Sequence, residues 1–187
     1  FKFKQRNSFT LLAGQEFISN NSNSFSGSST GQTDDRLVLV SAGPTGFTAG
    51  SSMSEYAYAS YFGRLNYNLD SKYFVDLSVR NDQSSRFGRN LRGATFYSAG
   101  LMWKAKNEKF LQNVNWLNNL VVKGSIGTSG NSSIGNYQSL ATVGTNLYNS
   151  APGWGVSSAG NPELSWETQK QINIGKIGRA SCRERVS

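Results

Sequence analysis

The side chains best suited to covalent or acid–base chemistry are few in this sequence and poorly placed for it. Histidine is absent and Cys182 is the single cysteine. Ser-His-Asp catalysis, Cys-His catalysis and a histidine-based zinc site are removed together, and no disulfide can form within the chain. Four carboxylates invite a closer look: adjacent Asp34 and Asp35, and Glu163 and Glu167 flanking Trp166. Glycoside hydrolysis needs two carboxyls held across a sugar with separated pKa values, which neighbouring loop acids do not deliver. Asp34-Asp35 offers oxygen ligands for calcium, but EF-hand spacing is missing. Gly127–Gly135 is rich in glycine and serine, yet no Gly-Lys-Ser/Thr follows, so it is no phosphate loop. The residues predict neither an enzyme nor a bound cofactor.

Binding chemistry is better represented. Trp154, in Pro152-Gly-Trp-Gly-Val156, lies in a polar stretch with Tyr137 and Tyr148 nearby. Such aromatics suit stacking on a pyranose ring, or equally packing against other loops or a partner. Arg86, Arg89 and Arg92 cluster in a second polar stretch, where they can meet phosphates or an anionic ligand, or pair within the loops. The net charge of +8 and sequence pI near 9.7 raise nucleic acid as a partner. Arg92-Gly-Ala-Thr-Phe-Tyr97 carries Ala94 where an RNP1 strand needs an aromatic, and the cations form no stripe. No nucleic-acid partner is predicted.

The elements that would position these residues are strands. In Tyr73–Arg80, Tyr73, Val75, Leu77 and Val79 share one face, while Phe74, Asp76, Ser78 and Arg80 share the other; successive strand residues point to opposite sides. Ala57, Ala59, Tyr61, Leu65 and Tyr67 oppose Ser60, Arg64 and Asn66. Tyr97, Ala99, Leu101 and Trp103 oppose Ser98, Gly100, Met102 and Lys104, and Leu120, Val122, Gly124 and Ile126 oppose Lys123 and Ser125. A weaker first strand holds Phe9, Leu11, Ala13 and Phe17; a last one holds Trp166, Ile172 and Ile174. Six strands result. The connections alternate: long over 18–55, 83–95 and 128–163, shorter over 68–72 and 105–119. In the last of these, Phe110, Val114 and Leu117 sit at helical spacing.

No apolar run reaches the roughly 18 residues of a membrane helix. Alternating strands, lopsided loops and aromatics near strand ends instead predict an all-β fragment, about six antiparallel strands, of a large transmembrane β-barrel. On that reading Arg64, Asp76 and Arg80 face the lumen. A soluble β-sandwich would explain the alternation, but not the uneven loops or the small residues Ala57, Ala59, Ala99 and Gly124 where a dense core wants bulk. The sequence begins Phe-Lys-Phe-Lys without Met or an apolar leader, as expected of an internal piece of a longer protein. Residues 1–176 form the expected barrel segment. Residues 177–187 change abruptly to a basic run that resembles a translated sequencing adapter rather than a natural terminus. Its three arginines and one glutamate contribute +2, leaving +6 for the rest.

Several strings, in order and spacing, resemble the C-terminal half of SusC-like TonB-dependent transporters over roughly residues 8–175. They are Ser60-Tyr-Phe-Gly-Arg-Leu-Asn-Tyr67, Ser84-Ser-Arg-Phe-Gly88, Phe96-Tyr-Ser-Ala-Gly-Leu-Met-Trp103, Phe110-Leu111, Trp116-Leu117, Gly124-Ser-Ile-Gly-Thr-Ser-Gly-Asn131, Ile134-Gly-Asn-Tyr137 and Asn161-Pro-Glu-Leu-Ser-Trp-Glu167. One departure is Asp82-Gln83, where the family has Asp-Gly; a turn needing positive φ at Gln83 would be strained. The resemblance implies a 22-stranded, plugged barrel in the outer membrane, without a cofactor, importing oligosaccharides or peptides. It implies a SusD-like surface lipoprotein as partner, and TonB contact through a segment upstream of residue 1. Long loops would be extracellular, near lipopolysaccharide, and short turns periplasmic. The alternative from another class is a non-transporting, adhesin-like surface protein.

Overall fold

The computed structural model describes residues 2–3 and 6–180. Six long strands build one antiparallel sheet: β2 (Asn7–Thr30), β3 (Thr45–Leu69), β4 (Tyr73–Ser84), β5 (Gly93–Lys104), β6 (Leu117–Asn131) and β9 (Glu167–Ala180). A two-residue strand, β1 (Lys2–Phe3), lies at one edge, and the order is β1-β2-β3-β4-β5-β6-β9. Each strand pairs with its sequence neighbour, apart from a two-stranded ribbon, β7 (Thr142–Tyr148) and β8 (Ala151–Ser158), inserted between β6 and β9.

Register turns the alternation of single strands into continuous bands. Leu11, Leu65, Leu77, Ala99, Ile126 and Ile172 are successive cross-strand partners, and so are Phe9, Tyr67, Val75, Leu101, Gly124 and Ile174. On the opposite face the same geometry lines up Thr10, Asn66, Asp76, Gly100, Ser125 and Asn173. A one-residue slip of any strand would put its apolar set on the wrong side. The apolar face is bare: Leu11 is 77% exposed, Leu101 64% and Ile174 87%. Among the described residues no second layer covers it, so the sandwich expectation fails. The polar face is concave, and a cavity of about 780 Å³ opens on it between Thr10, Asn66, Asp76, Lys123, Ser125 and Asn173. An apolar outside and a polar hollow are what a membrane barrel wall requires.

The connections follow the expected alternation with three corrections. First, 18–55 is not a loop. β2 and β3 continue through it as a hairpin, whose stretches 19–30 and 45–57 lie beyond the last β3–β4 pair, Tyr58 with Ser84. At about 3.4 Å per residue it stands roughly 40 Å beyond the wall. Its Ser, Asn, Gly and Thr residues show no apolar alternation, but side chains bond across it, Asn21 to Glu55, Ser24 to Ser52 and Ser28 to Thr48, each at 2.6 Å. Second, the β4–β5 loop is only residues 85–92, because β4 runs to Ser84 and β5 begins at Gly93. Gln83 is ordinary strand, paired with Ala59 and Gly93, so the expected strain does not arise. Third, β9 does not end at 176: Ile177 pairs with Val121 and Gly178 with Leu120. Arg179 and Ala180 continue the same ladder, and residues 181–187 of the adapter-like string lie outside the described residues.

The short rim matches expectation more closely. Three residues, 70–72, connect β3 to β4; Asp70 (φ 52°) and Ser71 (φ 55°) take the left-handed conformation that a tight hairpin uses, and Lys72 N bonds Leu69 O. Between β5 and β6 lies a single helical turn, α1 (Lys109–Gln112). Lys106 Nζ donates to the carbonyls of Leu111, Gln112 and Val114, satisfying acceptors that the helix end leaves open.

Candidate outer-rim site

The long-loop rim is organised by the eight residues between β4 and β5. Ser85 extends the sheet, its amide donating to Ala57 O and its hydroxyl accepting from Ala57 N. Arg86 and Phe87 then point to different neighbours. The Arg86 guanidinium lies 4.2 Å from the Tyr56 ring centroid, donates to Asn136 Oδ1 at 2.7 Å and reaches Tyr58 OH at 3.2 Å. Asn136 in turn donates to Ser54, Tyr58 donates to Ser132, and the Tyr137 hydroxyl accepts the Glu55 amide at 2.7 Å. That last bond caps an N–H on the edge β3 exposes beyond the end of β4. Phe87 is 1% exposed, with its ring 4.8 Å from Trp166, which also meets Phe96 edge-on at 5.6 Å. Trp166 Nε1 donates to Arg92 O at 2.8 Å. Gly88 N bonds Leu164 O, and any side chain at Gly88 would collide with the Pro162 carbonyl, so glycine is required there by close backbone approach.

Arg86 and Tyr137, expected as contact residues, are engaged within the chain and hold the strand-6-to-9 connection against β3. Trp166 precedes β9 instead of lying within it, and turns back into the Phe87 cluster. The strings Ser84–Gly88 and Asn161–Glu167, singled out separately in the sequence, thus pack on each other.

Beyond these holds stands the β7–β8 ribbon. Asn149 (φ 46°) and Ser150 (φ 66°) make its turn. Val143 faces Val156, Thr145 faces Trp154 and Leu147 faces Pro152, so these six share one side. Trp154 and Tyr148 are each 84% exposed, but Tyr148 pairs with Ala151 on the reverse side, beside Gly144, Gly153 and Gly155. Trp154, Tyr148 and Tyr137, near one another in sequence, take separate places: one plate, one opposite-facing ring and one anchor. Residues 124–162 contain no charged side chain. The apolar ribbon face was missed in the sequence, although Val143-x-Thr145-x-Leu147 ahead of Asn149-Ser150 is a strand-and-turn signal.

Lumen-side candidates lie on the concave face. Arg64 donates to Asp76 Oδ2 at 2.6 Å, with Asn66 bonding the same oxygen. Arg80 bonds Asp82, Glu16 and Ser60 and lies 5.9 Å from the Phe62 centroid. These charges are matched within the wall itself. Asp34, whose oxygens could have suited calcium, is bonded by Arg36, whose guanidinium reaches both carboxylate oxygens and holds the pKa of that group down to about 2. Among the described residues no cluster of metal-ligating side chains occurs.

Residues 1–176 match the family described as TonB dependent receptor-like, beta-barrel. The chain belongs to that family. It is 35% identical over 129 residues to TonB-dependent receptor P39 of Formosa agariphila, covering 68% of this chain and 12% of that protein. To the TonB-dependent receptor SusC of Bacteroides thetaiotaomicron it is 38% identical over 125 residues, covering 62% of this chain and 12% of that protein. A solved structure of the RagAB peptide transporter superposes with a TM-score of 0.84 at 45% identity, over 96% of this chain and 20% of the other. The chain therefore spans an eighth to a fifth of these relatives' lengths. A TonB-dependent receptor barrel segment is an integral outer-membrane β-structure and not an enzyme.

Proposed function

We propose that this segment belongs to an outer-membrane import receptor for neutral oligosaccharides, with its long-loop rim extracellular. Energy would come through TonB contacting a segment upstream of residue 1, and a SusD-like surface lipoprotein would close over the rim. The observation that carries the cargo reading is the uncharged stretch 124–162 with the Trp154 ring held out into solvent. An aromatic face beside neutral Asn and Ser groups suits sugar rings, and offers nothing to a charged ligand. The exposure of Arg89 at the same rim supports a contact with lipopolysaccharide phosphates there. Peptide cargo is the second reading, supported by the 45% identity to a peptide transporter.

The test is calorimetric titration of the full-length receptor with neutral oligosaccharides and, separately, with peptides of similar mass. Trp154→Ala should weaken oligosaccharide binding about tenfold, in line with the loss of one stacking contact, and leave folding unchanged. Binding of peptides alone would replace the first reading with the second.

A further inference from the structure

The two feet of the β7–β8 ribbon are held by adjacent residues through opposite kinds of chemistry. Among the described residues the ascending foot, 132–137, is attached by polar side-chain bonds: Arg86 to Asn136, Tyr58 to Ser132, Asn136 to Ser54, and Tyr137 OH to the Glu55 amide. Arg86 is half-buried and Tyr137 is 41% exposed, so water can replace each of these partners. The descending foot, 162–166, is attached by the buried Phe87, Phe96 and Trp166 rings and the Gly88–Leu164 backbone bond; water offers nothing in exchange. A second, independent sign sets the ascending foot apart. Tyr137 sits at φ 65°, a left-handed conformation that a side chain adopts at a cost and only when surrounding contacts hold it. Between the feet, Asn161 N donates to Gln138 O, so 138–161 travels as one body.

We infer that Arg86 is the positioning residue of the outer ribbon and that its hold is a releasable latch, while Phe87 and Trp166 form the fixed hinge. In the latched pose Tyr137 and Leu140 roof a cavity of about 400 Å³ lined by Asn20, Glu55, Tyr56 and Arg92. Release of the foot opens that cavity and swings Trp154 about the descending end. The latch rests on contacts within this chain; only its use in capturing cargo rests on the import reading.

Hydrogen exchange on the full-length receptor tests the inference. The reporters for the latch are the amides of Ile134, Leu140 and Glu55, and those for the hinge are the amide of Gly88, bonded to Leu164 O, and the indole N–H of Trp166, bonded to Arg92 O. Arg86→Ala and Asn136→Ala should each accelerate the first set about tenfold and leave the second set unchanged, as expected of a local opening. Arg86→Lys should behave like Arg86→Ala, because an ammonium lacks the planar fork that serves Asn136, Tyr58 and the Tyr56 face at once. A Ser54→Cys/Asn136→Cys disulfide should restore slow exchange in the Arg86→Ala background, and reductant should abolish the rescue. Unheated-gel mobility confirms in each case that the barrel is folded. Unchanged latch amides in both single variants, or equal acceleration of the hinge reporters, would overturn the inference.

Discussion

The barrel wall and the outer connection 132–166 draw on much the same residues, yet they are stabilised in different ways. In the wall the interior strands β3, β4, β5 and β6 are each tied to two others by backbone ladders over long registers, and side chains mainly decide which face meets lipid. In the outer connection the ladder is confined to the β7–β8 ribbon, and the attachment to the wall rests on a few contacts, mostly of side chains, with residues 85–92, β3 and Phe96. The long β2–β3 hairpin is the intermediate case: it projects as far as a loop but is built as wall, in continuous register. Projection from the membrane therefore does not define a loop. What separates the regions is whether backbone or side chains carry the hold, and hence how many residues must change to release it.

Phe87→Ala gives the largest expected difference. Removing a buried phenylalanine costs roughly 3–5 kcal/mol, and all of it falls on the Trp166 cluster. Exchange should rise throughout 132–166 while the wall amides of β4 and β5 stay protected. If the wall loosens with the connection, the two regions are one cooperative unit and the contrast drawn above is wrong. Leu77→Arg makes the converse change. Leu77 sits mid-strand on the apolar face between Leu65 and Ala99, where arginine costs about 2–4 kcal/mol at the bilayer midplane. Insertion into lipid vesicles should drop, measured by the fraction with folded-barrel gel mobility, whereas Ser78→Arg, on the lumen side, should insert normally. Equal loss from both variants would remove the lipid-facing assignment.

The wall was legible because its signal is local. Tyr73, Val75, Leu77 and Val79 alternate within a single strand, and register can only be set one way if all apolar residues are to share a side. The β2–β3 projection was not legible, since Ser19-Asn-Asn-Ser-Asn-Ser24 shows no apolar alternation and reads as loop chemistry; its pairing is inherited from Phe9–Phe17 and Ala57–Tyr67 below it. The clasp was illegible for a different reason. Arg86 and Asn136 are separated by 50 residues, and Arg92 and Trp166 by 74, so nothing in either segment announces its partner. An arginine and a tyrosine in polar loops invite a ligand reading, and only the fold shows that they are already engaged. Trp154, by contrast, stays exposed in the fold, and no contact within the described residues accounts for its ring.

The smallest expected effect compares two acids, one at each rim. Glu108, beside α1, accepts from Tyr73 OH at 2.7 Å and from Lys72 Nζ at 3.0 Å, and these bonds, the tyrosine's first, hold its carboxyl below the ordinary 4.5. A carboxyl depressed by folding binds protons more readily when unfolded. Its contribution is therefore complete above the ordinary value and is lost as pH falls through the lower folded value. Asp34 is depressed further, to about 2, by Arg36 alone, but that pair lies at the hairpin tip with its arginine 90% exposed. An exposed ion pair between residues two apart joins no separate elements and stabilises little. Glu108 instead ties α1 to the start of β4. Acidification below about pH 4.5 should loosen the amides of 105–116 in the wild type, with Glu108→Gln losing that dependence. Asp34→Asn should leave every amide outside 31–44 unchanged over the same range. If Asp34→Asn instead alters exchange down β2 and β3, the projecting hairpin transmits changes at its tip to the wall, and it belongs with the latched connection in its mechanics.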